Sequence, residues 1–311
     1  MLLIDFVNVG YGDAILLREG TFAMLVDCGD MELGAGYSGS RRTDAAEFLR
    51  AEGVKRLQLL VLSHLHKDHV GGLPALCDEV EIDELWTAYL PEESLLQKQA
   101  AISGICSKGA NNLLLALNAY NRSLRLLLGK TRLRLIQKAQ QETILSPGFT
   151  VRVECATGDV YTRQDTILNA LLRDGDASAL DELDDFINDS SLRLVLSYKG
   201  LILSLPGDIT AESWLRQSPM RCDILKMPHH GHKDSMSEPL LNALSPAFTV
   251  LPVSNDRPDN CPSSEVLKTL TANGRRYAFT DAVALPGRAP VYRSSVRLAV
   301  DDTGAWSEQQ I

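Results

Sequence analysis

The sequence predicts an α/β protein in which two β-sheets are sandwiched by helices within one domain. Three observations carry that expectation. Strand-like runs come in two batches, one before about residue 65 and one after about residue 190. Helical stretches lie between and after them. The apolar strands run directly into polar, histidine-bearing stretches, as in layered α/β proteins whose strand ends feed ligand-carrying loops. At 311 residues the chain can bury one large core or two modest ones. No repeat and no Pro/Ser-rich linker divides it, so residues 1–311 read as a single domain.

The elements follow in order. "LLIDFVNVG", "AILLREG" and "TFAMLVDCGD" are paired strands separated by glycine-rich turns. Residues 43–52, "TDAAEFLRAE", have helical spacing with Thr43 as the N-cap. "RLQLLVLSH" is a buried strand that delivers His64 at its C-terminal end. "SLLQKQAAISGICSKGANNLLLALNAYNRSLRLLLG" is mostly helix, interrupted near "SKGANN", and "KTRLRLIQ" alternates like a strand. "SSLRLVLSYKG" and "LILSLPGD" form a hairpin, followed by the helix "TAESWLRQ" and the strand "CDILKMP". "EPLLNALSP" is helical, "AFTVLPVS" is a strand, and "SSEVLKTLTANG" is a helix capped by Ser263 and stopped by Gly274. "RRYAFT" and "SSVRLAVDD" close the chain as strands.

Charge is unevenly spread. No acidic residue falls between Glu93 and Glu142, where Lys98, Lys108, Arg122, Arg125, Lys130, Arg132, Arg134 and Lys138 all lie. The stretch 165–189 is the reverse, with Asp174, Asp176, Asp181, Glu182, Asp184, Asp185 and Asp189. One reading makes these solvated or mutually paired faces. The other makes the basic segment a roof that attracts a phosphate-bearing substrate. A net charge of −9 argues against a broad nucleic-acid-coating surface and leaves room for a local basic groove. No apolar run approaches the roughly 20 residues that span a bilayer. The start carries Asp5 and no early Lys or Arg, unlike a secretory signal. The six cysteines are widely spaced without a C-x-x-C pair, which fits reduced thiols in a cytoplasm.

All six histidines fall in two clusters, "HLHKDH" at 64–69 and "HHGH" at 229–232. Scattered structural histidines do not group this way. In the first cluster His64 and His66, two apart, can point to one cation while Asp68 and His69 turn to another. Mixed imidazole and carboxylate donors suit Zn²⁺, Mn²⁺ or Fe. Gly71 and Gly72 let the backbone turn tightly beside them.

H-x-H-x-D-H after an apolar strand resembles the metallo-β-lactamase superfamily. "VGYGDAILL", "LVDCGD", "LSHLHKDHVGGL", "SLRLVLSYKGLILSLPGDI" and "DILKMPHHGHKDS" are similar to the hydrolase domain of ComEC-type competence proteins and their soluble relatives. The resemblance covers most of residues 1–280, except about 92–145 and 157–187, which look inserted. It implies a four-layer αββα sandwich, two divalent metal ions (Zn or Mn) and phosphodiester hydrolysis, with a phosphoester or single-stranded nucleic acid as substrate and no membrane partner. Some relatives cleave other phosphoesters. Carried over, His64, His66, Asp68 and His69 match the first metal motif, and Asp68 could also orient the nucleophile. Asp208 matches the bridging carboxylate, and Asp27 a buried aspartate supporting the metal loop. Asp13 reads equally as a turn residue or a site residue. His229 and His230 match paired histidines, one a ligand and the other an acid or phosphate contact; which is which stays open. His232 is peripheral, and Lys226 is either exposed or a phosphate contact. No histidine stands between His69 and His229, where many relatives have one, so Asp189, or Asn188, is a substitute oxygen ligand or a wall residue. Cys261 precedes Pro262 where relatives have His-Pro; it is a substitute ligand, a sign of a weakened site, or an inert buried thiol. Two rival functions remain: a carbon-ester, thioester or lactam hydrolase on the same scaffold, and a sensor or binding module with weakened catalysis.

Overall fold

A computed structural model describes residues 1–34, 40–101, 107–146, 148–254, 261–283 and 294–311. In chain order, β1 is Leu2–Phe6, β2 Ile15–Glu19, β3 Phe22–Val26, α1 Ala45–Ala51, β4 Arg56–Leu57 and β5 Leu59–Leu62. Next come α2 Lys67–Val70, α3 Leu73–Glu79, β6 Glu81–Ile82, β7 Glu84–Thr87, α4 Glu93–Leu96 and α5 Lys108–Leu127. The middle holds β8 Arg132–Leu135, β9 Gln140–Ser146, β10 Phe149–Glu154, α6 Val160–Asp174 and α7 Leu180–Phe186. Then follow β11 Arg193–Tyr198, β12 Leu201–Leu205, α8 Ala211–Leu215, β13 Ile224–Lys226, α9 Glu238–Leu244 and β14 Phe248–Leu251. α10 Ser264–Ala272, β15 Arg276–Phe279, β16 Val296–Val300 and β17 Trp306–Gln310 complete the chain.

Two large sheets form, ordered β17-β16-β1-β2-β3-β5-β7-β8 and β15-β14-β13-β12-β11-β10-β9, and β4 pairs with β6 in a third, two-stranded one. Alternation along the strands builds the layers, because successive side chains point to opposite faces. In β5, Leu59 and Val61 enter the core between the sheets with Phe149, Leu194, Leu203 and Phe248. Leu60 and Leu62 face the other way, onto α1, α3, α5 and α7. On the second sheet Ile224 and Val250 face inward, while Leu225 and Leu251 pack under α8, α9 and α10. Both faces of these strands are covered, so they read as unbroken apolar runs. The result is the four-layer αββα sandwich. Among the described residues no helix is long and apolar enough to cross a membrane.

Some elements differ from the sequence expectation. Asp44 caps α1, accepting from Glu47 N, because its carboxylate points back at the helix start, whereas the Thr43 hydroxyl bonds Asp44 O and Glu47. The run 56–62 is two strands parted at Gln58, whose backbone N–H bonds Ala23 O. The long predicted helix is two helices; residues 102–106, with Cys106, lie outside the described residues, as do residues 255–260. Asp68 and His69 ride on the short helix α2 rather than an open loop. β6, β7, β9, β10 and β17 were not anticipated; of these β9 is largely exposed and β17 lies at a sheet edge, and neither carries a clean alternating apolar signal.

What positions the site is strand direction. β3, β5 and β7 run parallel in one sheet, and β12, β13 and β14 in the other. Their C-terminal ends emit the segments holding Asp27, Ser63–His66, Asp208, Met227–His230 and Pro252. Ligands in such sheets collect outside the carboxyl ends of the strands.

Candidate metal centre

The segments are laced together by backbone bonds: Cys28 N–H to His69 O at 2.8 Å, Gly29 N–H to Asp13 O at 2.7 Å, Leu192 N–H to Ser63 O at 2.9 Å. Close approach, not turning, demands the glycines. Gly71 and Gly72 have ordinary negative φ, and a Cβ on Gly72 would come 2.2 Å from Cys28 O. Non-glycine left-handed residues gather here too, Asp27 (φ 59), His229 (φ 43) and His230 (φ 50), a concentration of strain typical of functional sites.

At the centre, single donor atoms of Asp68, His69, Asp208 and His230 lie within 4.8 Å of one another. His69 Nε2 is 3.1 Å and His230 Nε2 3.2 Å from Asp208 Oδ2, and His230 Nε2 is 3.1 Å from Asp68 Oδ2. Beside them His64 Nε2 faces His66 Nδ1 at 3.1 Å, and the His64 and His69 rings are 4.2 Å apart.

Partners behind the rings determine which nitrogen is free. His69 Nδ1 donates to Asp27 Oδ2 at 2.8 Å, and His230 Nδ1 donates to Pro252 O at 3.0 Å. The Ser63 hydroxyl donates to Asp27 Oδ2 at 2.7 Å, so its oxygen can accept from His64 Nδ1 at 3.0 Å. Each ring thus turns Nε2 to the centre, the arrangement of metal-binding histidines held from behind. The His230 Nε2 atom is buried and has no aligned hydrogen-bond partner. A buried orphan lone pair among carboxylates fits a cation.

The electrostatics are those of a packed charge cluster. Burial resists charge on His230, yet Asp208 and Asp13 outweigh it and push its pKa up to about 9. His69 is likewise raised, Asp208 and Asp27 overcoming burial. His64 is lowered by burial, and by His69 and His66. Burial would raise Asp68 and Asp208, but the facing imidazoles hold both well below the usual range, and Lys226 adds to this for Asp208.

Lys226 is neither exposed nor on the cleft. Fully buried, its Nζ donates to Asp208 Oδ1 and Gly207 O, each at 2.9 Å, and pairs with Asp13. Asp13 is therefore a buried partner of the cluster, and burial raises its pKa.

Two expected ligands stand outside the four-residue group, and Asp189 is held elsewhere. Asp189 accepts from Thr210 N–H at 3.3 Å, the Thr210 hydroxyl at 3.1 Å and the Ser213 hydroxyl at 2.5 Å, at the start of α8. Those bonds draw its carboxylate to a helix terminus whose N–H groups lack partners. Cys261 is a buried free thiol whose pKa is pushed up by burial and by Asp208; no potential metal-holding group among the described residues includes it. The five described cysteines are all free.

The cluster opens on a cleft of ≈ 550 Å³ lined by Tyr11, Lys67, Lys108, Asp184, His229 and His232 among others. His229 Nδ1 lies 3.0 Å from Asp234 Oδ1, and its Nε2 lies 3.3 Å from the Asn188 amide. His232 is not peripheral: it stacks on His229 at 4.3 Å, bonds the Tyr11 hydroxyl at 3.0 Å, and burial with His229 lowers its pKa to about 4. Of the basic run, Lys108 reaches this cleft. Arg132 and Arg134 pair with Glu84 at 3.5 and 3.1 Å on the first sheet's edge, and Arg125 bonds Leu96 O. Tyr11, Asp234 and Asp184 were missed because a tyrosine in a glycine turn, a lone aspartate after the second histidine cluster and one member of an acidic stretch carry no spacing signal.

Comparison with known proteins meets this geometry at one point. Residues 7–89, which include Asp13, Asp27 and the whole first histidine cluster, match the family model described as metallo-beta-lactamase superfamily. Over those residues the chain resembles that superfamily. It is similar to ComE operon protein 3 of Bacillus subtilis (strain 168), at 25% identity over 240 residues, 75% of this chain and 25% of that protein. The chain thus spans about a quarter of that relative's length. Similar solved structures include the metallo-beta-lactamase fold protein YhfI from Bacillus subtilis, with TM-score 0.49, 11% identity and coverage of 89% and 95% of the two chains. Zinc-bound PqqB from Methylobacterium extorquens has TM-score 0.46 and 12% identity, covering 90% and 98%. The superfamily fold is that of metal-dependent hydrolases, which typically hold divalent ions, often zinc.

Proposed function

We propose that this chain is a metal-dependent phosphodiesterase, one domain with insertions at about 92–145 and 157–187, whose site is the cluster around Asp208. The observation that carries the reading is the convergence of Asp68, His69, Asp208 and His230 within 4.8 Å, with His64 and His66 side by side next to it. Asp68, His69, His230 and Asp208 would hold one Zn²⁺ or Mn²⁺; His64 Nε2, His66 Nδ1 and Asp208 would hold a second. Such cations supply Lewis acidity and a water acidified toward neutrality.

The chain's own residues do the rest. Asp27 and the Pro252 carbonyl retain the Nδ1 protons of His69 and His230, so both rings present lone pairs. Lys226 neutralises Oδ1 of Asp208 and leaves Oδ2 facing the histidines. His229 is the proton donor: its Nδ1–H donates to Asp234, and Nε2, after taking up a proton from solvent to give the imidazolium, passes it to the departing alkoxide oxygen. Lys108, on the cleft wall, orients the anionic diester. Asp189 and Cys261 stand outside the ligand set. The likeness of both histidine motifs to ComEC-type hydrolase domains favours a phosphodiester over a carbon ester. Arg132 and Arg134, on a sheet edge and paired with Glu84, favour a small phosphodiester over a nuclease groove built on them.

The test is elemental analysis of protein purified without added metal, paired with a substrate panel. Two bound cations with hydrolysis of bis(p-nitrophenyl) phosphate, and none of nitrocefin or a thioester, are expected. Hydrolysis of the latter two alone would make it a carbon-ester or lactam hydrolase. One cation or none, with no turnover, would make it a binding module.

A further inference from the structure

The acidic helix α7 sends one carboxylate to the metal centre. Asp184 Oδ1 lies 3.4 Å from Nε2 of His66, a buried nitrogen with no aligned hydrogen-bond partner. Nδ1 of the same ring faces His64 Nε2 at 3.1 Å. A neutral imidazole has one N–H and one lone pair, and a carboxylate only accepts. Asp184 therefore selects the tautomer with the proton on Nε2 and the lone pair on Nδ1, beside His64. The neighbouring turn of α5 makes room for it. A Cβ on Gly109 would sit 1.9 Å from Asp184 Oδ2. Leu180 and Leu183, fully buried in the helical layer, anchor α7 while Asp184 lines the cleft.

We propose that Asp184 is a positioning residue for His66, so that a helix outside the strand framework orients one ligand of the metal centre. This rests on the metal-centre reading above.

The experiment uses the full chain with zinc and with cobalt: wild type, Asp184→Ala, Asp184→Asn and Gly109→Ala. Zinc affinity is read by competition with a chromophoric chelator, stoichiometry by elemental analysis, and ligand geometry by the cobalt d–d absorption. Asp184→Ala should weaken the more weakly held cation about 10–100-fold, as loss of a partner behind a ligand does, and shift the cobalt spectrum. Gly109→Ala should do the same with Asp184 still present, because the added methyl displaces its carboxylate. Asp184→Asn should recover most of the affinity, since the amide oxygen accepts the same proton. Wild-type affinity and spectrum in Asp184→Ala would overturn the inference. So would an Asp184→Asn protein as weak as the alanine variant and lacking one cation, which would place the carboxylate itself on the metal. If wild type binds no cation, the metal-centre reading fails; if it binds two and Asp184→Ala matches it, only this inference fails. Thermal unfolding of the metal-free variants monitors the fold.

Discussion

Replacing Lys226 with methionine tests the electrostatic keystone of the centre. Its Nζ is fully buried, bonds Asp208 Oδ1 and Gly207 O at 2.9 Å each, and pairs with Asp13. Methionine fills the space and removes the charge. Removing one member of a buried pair costs about 3–5 kcal/mol, because the remaining charge stays desolvated. Asp13 sets where in that range the loss falls. Its folded pKa is raised by burial, even with Lys226 lowering it. A carboxyl with a raised pKa contributes stability below its unfolded pKa and loses it as pH rises through the folded one. Without Lys226 the folded value rises further, so the penalty should grow with pH. Urea denaturation of the chelated protein at a series of pH values upward from the free carboxyl range of about 4 measures it. Asp13→Asn in the Lys226→Met background should return at least about 1 kcal/mol, because the orphaned carboxylate is gone. A Lys226→Met protein within about 1 kcal/mol of wild type, or two additive single effects, would refute the reasoning.

Further outcomes follow from the same geometry. Asp208→Ala should fold yet lose its metal and turnover; retained metal with full activity would remove Asp208 from its role. His229→Ala should keep its metal and lose about 10²–10⁴ in kcat, whereas His230→Ala should lose metal, which elemental analysis separates. His230 is raised from 6.5 to about 9, so in chelated protein its stabilising contribution is full below about pH 6.5 and lost as pH climbs through about 9. Cation affinity should rise over that same window as the ring gives up its proton; isothermal titration at several pH values checks both signs. Neutralising Arg132 and Arg134 together should leave phosphodiesterase activity and its salt dependence unchanged, since both pair with Glu84 on a sheet edge.

The sequence alone was enough for the layers and for the core of the candidate site. Strand and helix periods are local, and apolar runs such as Leu59–Leu62 declare burial on both faces. Four donors within six residues of one another, and a second histidine cluster, announce metal chemistry without coordinates. Tertiary structure decided what depends on neighbours far along the chain. Lys226 looks like any lysine after a strand until Asp13 and Asp208, 213 and 18 residues away, enclose it. His229 and His230 are chemically equivalent in sequence; only the Pro252 carbonyl behind one ring and Asp234 beside the other divide their surroundings. Asp184 and Asp189 belong to one acidic stretch, yet one faces His66 and the other accepts bonds at the start of α8. Composition records which charges a chain has; desolvation and partner geometry, which decide their use, exist only once the chain has folded.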